Sequence, residues 1–126
     1  MVLDSSAILA VLLEEPGFEE LEDRINRAAG VRIGAPTLLE VHIVLTRKSS
    51  SQARLRAFLD AIGATTVAFT SEHLNVAIDA HGRFGRGRHP AKLNFGDCFS
   101  YAIARLAREP LLYTGDDFAK TDIEAA

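Results

Sequence analysis

At 126 residues, 48% of them hydrophobic and 25% charged, the chain has the length of one domain and the composition of a globular one. That excludes a two-domain enzyme and the disordered and low-complexity classes. Seventeen acids against fourteen bases give a formal charge of −3, which argues against a protein that grips nucleic acid by bulk positive charge.

No apolar run reaches the roughly 18–20 residues of a membrane span, and no basic stretch precedes the first apolar segment as an export signal requires. The one cysteine, Cys98, leaves no internal disulfide, and with four scattered histidines it makes a structural zinc site a poor fit. These features lead to the expectation of a soluble, cytoplasmic protein that occupies residues 1–126 as one domain and has no membrane partner.

Residues 1–4 read as a short buried strand. Ser5 and Ser6 open an apolar helix over 7–14, and Pro16 separates it from a second helix over 18–29. The second helix carries Glu19, Glu20, Glu22 and Asp23 early and Arg24 and Arg27 late, the order its dipole favours. Residues 31–35 form a second strand, Pro36 suits a first helical position, and 37–47 form a helix that is apolar on almost every side. A polar turn at 48–51 leads to a helix over 53–62 that Gly63 closes. Residues 65–69 make a β-branched strand, and Ser71 and Glu72 start a helix running to about Phe84. The stretch 82–92, rich in Gly and Arg, reads as a loop. Asn94 caps a long helix to Arg108, 110–114 form a last strand, and 115–118 turn. Strands alternating with helices indicate an α/β domain with a mainly parallel sheet of four to five strands, flanked by helices in three layers.

Ligands of such sheets bind beyond the carboxyl ends of the strands, and four acids belong there by topology. Asp4 ends the first strand, Glu40 follows the second, Asp97 lies in the first turn of the long helix, and Asp116 follows the last strand, with Asp117 as the alternative. Each has a plain structural reading as a helix cap. Glu40 fits that reading least, because its helix has no broad polar face and acids are seldom buried without a partner. Carboxylates gathered at one edge raise each other's pKa unless positive charge offsets them. No base neighbours any of the four in sequence, so a divalent cation is the simplest offset. Hard oxygen ligands suit Mg²⁺ or Mn²⁺, and the chemistry these residues permit is metal-assisted phosphodiester hydrolysis.

The strand ending in Asp4-Ser5-Ser6, Glu40 on its apolar helix, Asn94-Phe95-Gly96-Asp97-Cys98-Phe99-Ser100-Tyr101 and the stretch 111–123 with its Thr114-Gly115-Asp116-Asp117 together resemble a PIN-domain ribonuclease of the VapC toxin type. The resemblance spans the whole chain in order. It implies that Asp4 and Asp97 are the main metal ligands, that Glu40 and Asp116 or Asp117 complete the site, and that Ser6 and Thr114 support the ligands from behind. It also implies a homodimer held inactive by a cognate VapB-like antitoxin, and an RNA substrate cut by metal-activated water.

Charge is polarised along the chain. The first 40 residues hold eight acids and three bases, whereas residues 41–96 hold eight bases and three acids. Within 82–92, Arg83, Arg86, Arg88 and Lys92 are candidates for RNA phosphates, with Phe84 available to stack on a base. His42, His73, His81 and His89 show no metal-ligand spacing, and Cys98 reads as a buried, inert thiol. Two other classes are compatible with a small α/β domain: a catalytically silent binding module, and a receiver-like phosphoacceptor. The second needs an acidic pair after the first strand and a lysine after the last, and the chain has neither.

Overall fold

The computed structural model describes residues 1–48 and 52–126. In chain order the elements are β1 (Val2–Leu3), α1 (Ser5–Leu12), α2 (Phe18–Arg27), β2 (Arg32–Gly34), α3 (Ala35–Arg47), α4 (Gln52–Ala61), β3 (Thr65–Val67), α5 (Ser71–Phe84), α6 (Phe95–Ala107) and β4 (Leu111–Leu112), followed by a 3₁₀ turn, Phe118–Lys120. Residues 49–51 of the expected polar turn lie outside the described residues.

The four strands form one sheet in the order β3-β2-β1-β4, and every pairing is parallel. The chain builds outward from β1 to β2 and β3, then returns across the sheet to place β4 on the other side of β1. Strand order therefore reverses at β1, and the crevice beyond the carboxyl ends of β1 and β4 is where such a sheet leaves room for a ligand.

Alternation along the strands divides the core. Val2 and Leu111, paired in register, join a cluster with Ala77, Ala80, Phe84, Tyr101 and Ile103 of α5 and α6. Leu3 and Leu112, the next pair, join Ile8, Val11, Ile25, Val41 and Leu55 of α1 to α4. Successive strand residues point to opposite faces, so two residues per strand suffice to glue helices onto both sides, and the three-layer expectation holds. The two layers also meet directly: Thr37 of α3 and Ser100 of α6, both buried, lie 3.2 Å apart through their hydroxyls.

The elements are shorter than their sequence signals. Helix α1 starts at Ser5, because Asp4 supplies its cap, and ends at Leu12. Ala35, expected in the second strand, is the first residue of α3. The larger correction concerns 82–92. The helix expected to run to about Phe84 does so, with Gly82, Arg83 and Phe84 as its last residues, and the loop expected over 82–92 therefore begins only at Gly85. Phe84 is not free to stack on a base; its ring packs beside Tyr101 and edge-on to His89. The rest of the segment is pinned by backbone bonds, Arg86 N–H to the Leu93 carbonyl and Leu93 N–H to the Phe84 carbonyl. Among the described residues no helix is long and apolar enough to cross a membrane.

Candidate metal and nuclease site

Asp4 is 3% exposed and sits at the switch point, between the end of β1 and the start of α1. It caps α1: its Oδ2 accepts the Ser6 backbone N–H at 3.0 Å and the Ser6 hydroxyl at 2.6 Å. The Ser6 hydroxyl oxygen in turn accepts the backbone N–H of Thr114 at 3.0 Å, just past β4. The supporting role expected of Thr114 thus falls to its amide, and the ends of β1 and β4 are tied through one serine. Capping uses only one oxygen of Asp4. The other, Oδ1, is buried without a hydrogen-bond partner. A buried carboxylate oxygen left bare costs on the order of 1–3 kcal/mol or more.

Asp97 repeats the pattern. It closes a capping box with Asn94: Asn94 N–H donates to Asp97 Oδ2 at 2.8 Å, and Asp97 N–H donates to Asn94 Oδ1 at 3.0 Å. Its carboxyl is nonetheless pushed up to about 6, mainly by burial; the Asn94 amide opposes this, and the charges of Asp4, Asp117 and Glu40 add to it. Glu40 is half-buried on α3, and its carboxyl is also raised, first by burial and then by Asp4, against the opposing Ser5 hydroxyl. Its two oxygens lie against Gly96 in the first turn of α6.

Three of the four expected acids therefore gather with Asp117. Asp117 precedes the 3₁₀ turn whose Phe118 is buried, and its charge bears on Asp97. Ser5 and Gly96 escaped the sequence reading. A glycine in the first turn of a helix was the one available signal for Gly96.

None of these acids takes part in an ion pair among the described residues. An all-oxygen donor set, crowded and without a base, with a bare buried oxygen at its centre, fits a hard divalent cation. Among the described residues no three His, Cys, Asp or Glu side chains stand close enough together to hold a metal ion by themselves. A cation that keeps several waters and takes one or two direct carboxylates has no need of three.

The candidate RNA contacts separate into two groups. Arg83 donates to Asp122 at 2.8 Å and lies over the Phe84 ring at 4.6 Å. Asp122 also accepts the Tyr101 hydroxyl at 2.6 Å, so Arg83 serves to fasten the segment after β4 to α5 and α6. Arg86, Arg88 and Lys92 make no ion pair among the described residues and line one surface cavity with His89 and Pro90.

The raised Asp97 carboxyl has a consequence for stability. The folded state holds that proton more tightly than the unfolded chain, so the carboxylate carries no penalty below its ordinary pKa and accrues one as pH rises through about 6. At neutral pH the penalty is on the order of 1–2 kcal/mol after allowance for partial exposure. Asp97→Asn in EDTA is expected to raise the melting temperature by a few degrees at pH 7.5 and by nothing measurable at pH 4. Thermal unfolding at the two pH values checks this.

The PIN domain family model matches residues 1–124. Ribonuclease VapC42 of Mycobacterium tuberculosis is 39% identical over 129 residues, covering 100% of this chain and 98% of the relative. Among solved structures, the fold is similar to the crystal structure of Mycobacterium tuberculosis VapC20, a sarcin-ricin loop cleaving toxin, with a TM-score of 0.76, 15% identity and coverage of 99% of this chain and 97% of that one. A chain of a toxin-antitoxin complex from Klebsiella pneumoniae matches with a TM-score of 0.74 at 17% identity, over 96% of this chain and 92% of that one. With a family model spanning nearly its whole length and a full-length relative at this identity, the chain belongs to the PIN-domain family and, within it, to the VapC ribonucleases.

Proposed function

We propose that this chain is a Mg²⁺-dependent endoribonuclease, with Mn²⁺ as a substitute ion, and the toxin of a type II toxin-antitoxin pair that acts in the cytoplasm. The observation that carries the reading is the buried, unpartnered Oδ1 of Asp4 amid three other acids that lack a base. Asp4, with its unpartnered Oδ1, and Asp97 would hold the cation. When bound, it would supply positive charge that offsets the phosphate oxygens and would lower the pKa of a water, so that the water loses its proton more readily. Ser6 keeps the Asp4 carboxylate from turning, because its N–H and O–H both hold Oδ2. Glu40, whose carboxyl holds a proton more readily than an ordinary glutamate, takes the proton of the attacking water. Asp117 completes the acidic wall. Arg86, Arg88 and Lys92 track the RNA backbone, where their value lies in charge rather than base identity; Arg83 braces their segment from its pair with Asp122.

Because water rather than the ribose 2′-hydroxyl attacks, the products carry a 5′-phosphate and a 3′-hydroxyl. Mapping RNA ends after brief induction, wild type against Asp4→Asn, is expected to show 5′-phosphate ends in the first and none in the second; a 2′,3′-cyclic phosphate would refute the mechanism. At the fourth acid, Asp117→Asn is expected to reduce cleavage by roughly 10-fold or more and Asp116→Asn by less, a choice supported by the charge of Asp117 bearing on Asp97. Single-turnover cleavage of one RNA by both variants decides between them.

A VapB-like antitoxin is the proposed inhibitor, supported by the likeness in fold to a chain of the Klebsiella pneumoniae complex and by the fit of an arginine fork to unpaired carboxylates. The proposed homodimer is supported by apolar residues left in water. Leu39 and Ile43 lie four apart on α3, and Leu74 and Ile78 four apart on α5; with Phe95, which is 81% exposed, all five are accessible. Leu74, Ile78 and Phe95 line one groove of about 560 Å³. Ile78→Glu is expected to convert the dimer to a monomer in light scattering with unchanged circular dichroism.

A further inference from the structure

We propose that Gly96 is a positioning residue: the absence of its side chain sets where the Glu40 carboxylate lies in the acidic cluster. The proposal rests on the reading of that cluster as the metal site. A Cβ added at Gly96 would stand 2.8 Å from Glu40 Oε1, 2.9 Å from Oε2 and 3.1 Å from Cδ. The carboxylate therefore lies flat on the Cα of Gly96, closer than any other residue type permits. Backbone conformation is not the reason for a glycine here. Gly96 has no positive φ, in contrast to Gly17, Gly63, Gly87 and Gly115, and within a helix glycine is less favourable than alanine by roughly 0.5–1 kcal/mol. Only the space explains it.

A Cβ at position 96 would meet the far end of the Glu40 side chain, which gives way by turning its carboxylate, so the cost falls on where that carboxylate lies. The helix of Glu40 is fixed by Val41, fully buried, and by Thr37, whose hydroxyl meets Ser100 of α6. The same α6 carries Asp97, one residue beyond Gly96. The contact thus fixes the separation of two acids on different helices, and the amides of the first turn of α6 favour a carboxylate at that end. A methyl group would push the Glu40 oxygens away from Gly96 while Asp97 stays in its capping box with Asn94. The Glu40 carboxylate adds negative charge beside the proposed ligands Asp4 and Asp97, so moving it away weakens the hold on a cation, and a displacement of about 1 Å in the group that takes the proton costs on the order of 100-fold in rate.

The test is a double-mutant cycle on the full chain: wild type, Gly96→Ala, Glu40→Ala and the double variant. Each is measured for thermal stability in EDTA, for Mn²⁺ affinity by calorimetry and for RNA cleavage. In the presence of Glu40, Gly96→Ala is expected to weaken Mn²⁺ binding and cleavage by roughly 10-fold or more and to lower the melting temperature. In the Glu40→Ala background the same change is expected to cost nothing further in Mn²⁺ binding or cleavage and to raise the melting temperature, since only the helix-propensity gain is left. Equal effects in both backgrounds, or unchanged Mn²⁺ affinity and cleavage in the single Gly96→Ala variant, overturn the proposal. A wild-type protein that neither binds Mn²⁺ nor cuts RNA would sink the metal reading instead; the sign of the stability effect in the two backgrounds still decides the contact itself.

Discussion

The structure hinges on one short chain of hydrogen bonds. Ser6 donates its N–H and O–H to Oδ2 of Asp4 and accepts the N–H of Thr114, so a single side chain joins the end of β1, the start of α1 and the exit of β4. These are the two strands flanking the point where strand order reverses. Parallel strands splay there because their connections leave in opposite directions, and a crevice opens between them. Asp4 is buried at the end of β1, whereas Asp117 is exposed beyond β4. Whatever enters meets the bare oxygen of Asp4 at the base and carboxylates from two helices on the walls.

Capping and ion binding are one arrangement here. At both Asp4 and Asp97 a helix N-terminus engages Oδ2 of the carboxylate, which fixes its rotamer. A fixed carboxylate loses less freedom when a cation arrives, and helix amides partly offset the negative charge while the site is empty. The reading of these acids as caps is thus correct, and capping leaves the proposed metal role open to them, since each cap engages a single carboxylate oxygen. The remaining repulsion is substantial, as the raised carboxyls of Asp97 and Glu40 record. Stability given up at a site is usual where function requires like charges to sit together.

The basic segment shows how packing redirects a composition signal. Read as a string, 82–92 is a flexible Gly/Arg loop. In the fold, its first three residues extend α5, Phe84 enters the core, and Arg83 turns to Asp122. The segment then closes on itself through Gly85 and Leu93. Its remaining bases, Arg86, Arg88 and Lys92, are presented from a constrained loop that leads within two residues to the cap of α6. The Arg83 assignment had no sequence signal, since Asp122 lies 39 residues away. The depth of Phe84 followed only from α5 packing on α6.

Local chemistry determined much of this protein in one dimension. Alternation of β-branched and apolar strands with capped helices, the Pro at the start of α3, and acids placed after strand ends were all legible, because each depends on neighbours within about a turn of helix. The fold class, the three-layer arrangement and the gathering of Asp4, Glu40 and Asp97 follow from them. Tertiary structure decided what depends on distances between elements: that the charge of Asp117 reaches Asp97 across the site, that Thr114 meets Ser6 with its amide instead of its hydroxyl, and that Gly96 leaves room for Glu40. Adjacent acids in a turn are equivalent as letters, and only the burial of Phe118 orients that turn. A missing side chain likewise has no meaning until another helix brings a carboxylate to the space it leaves.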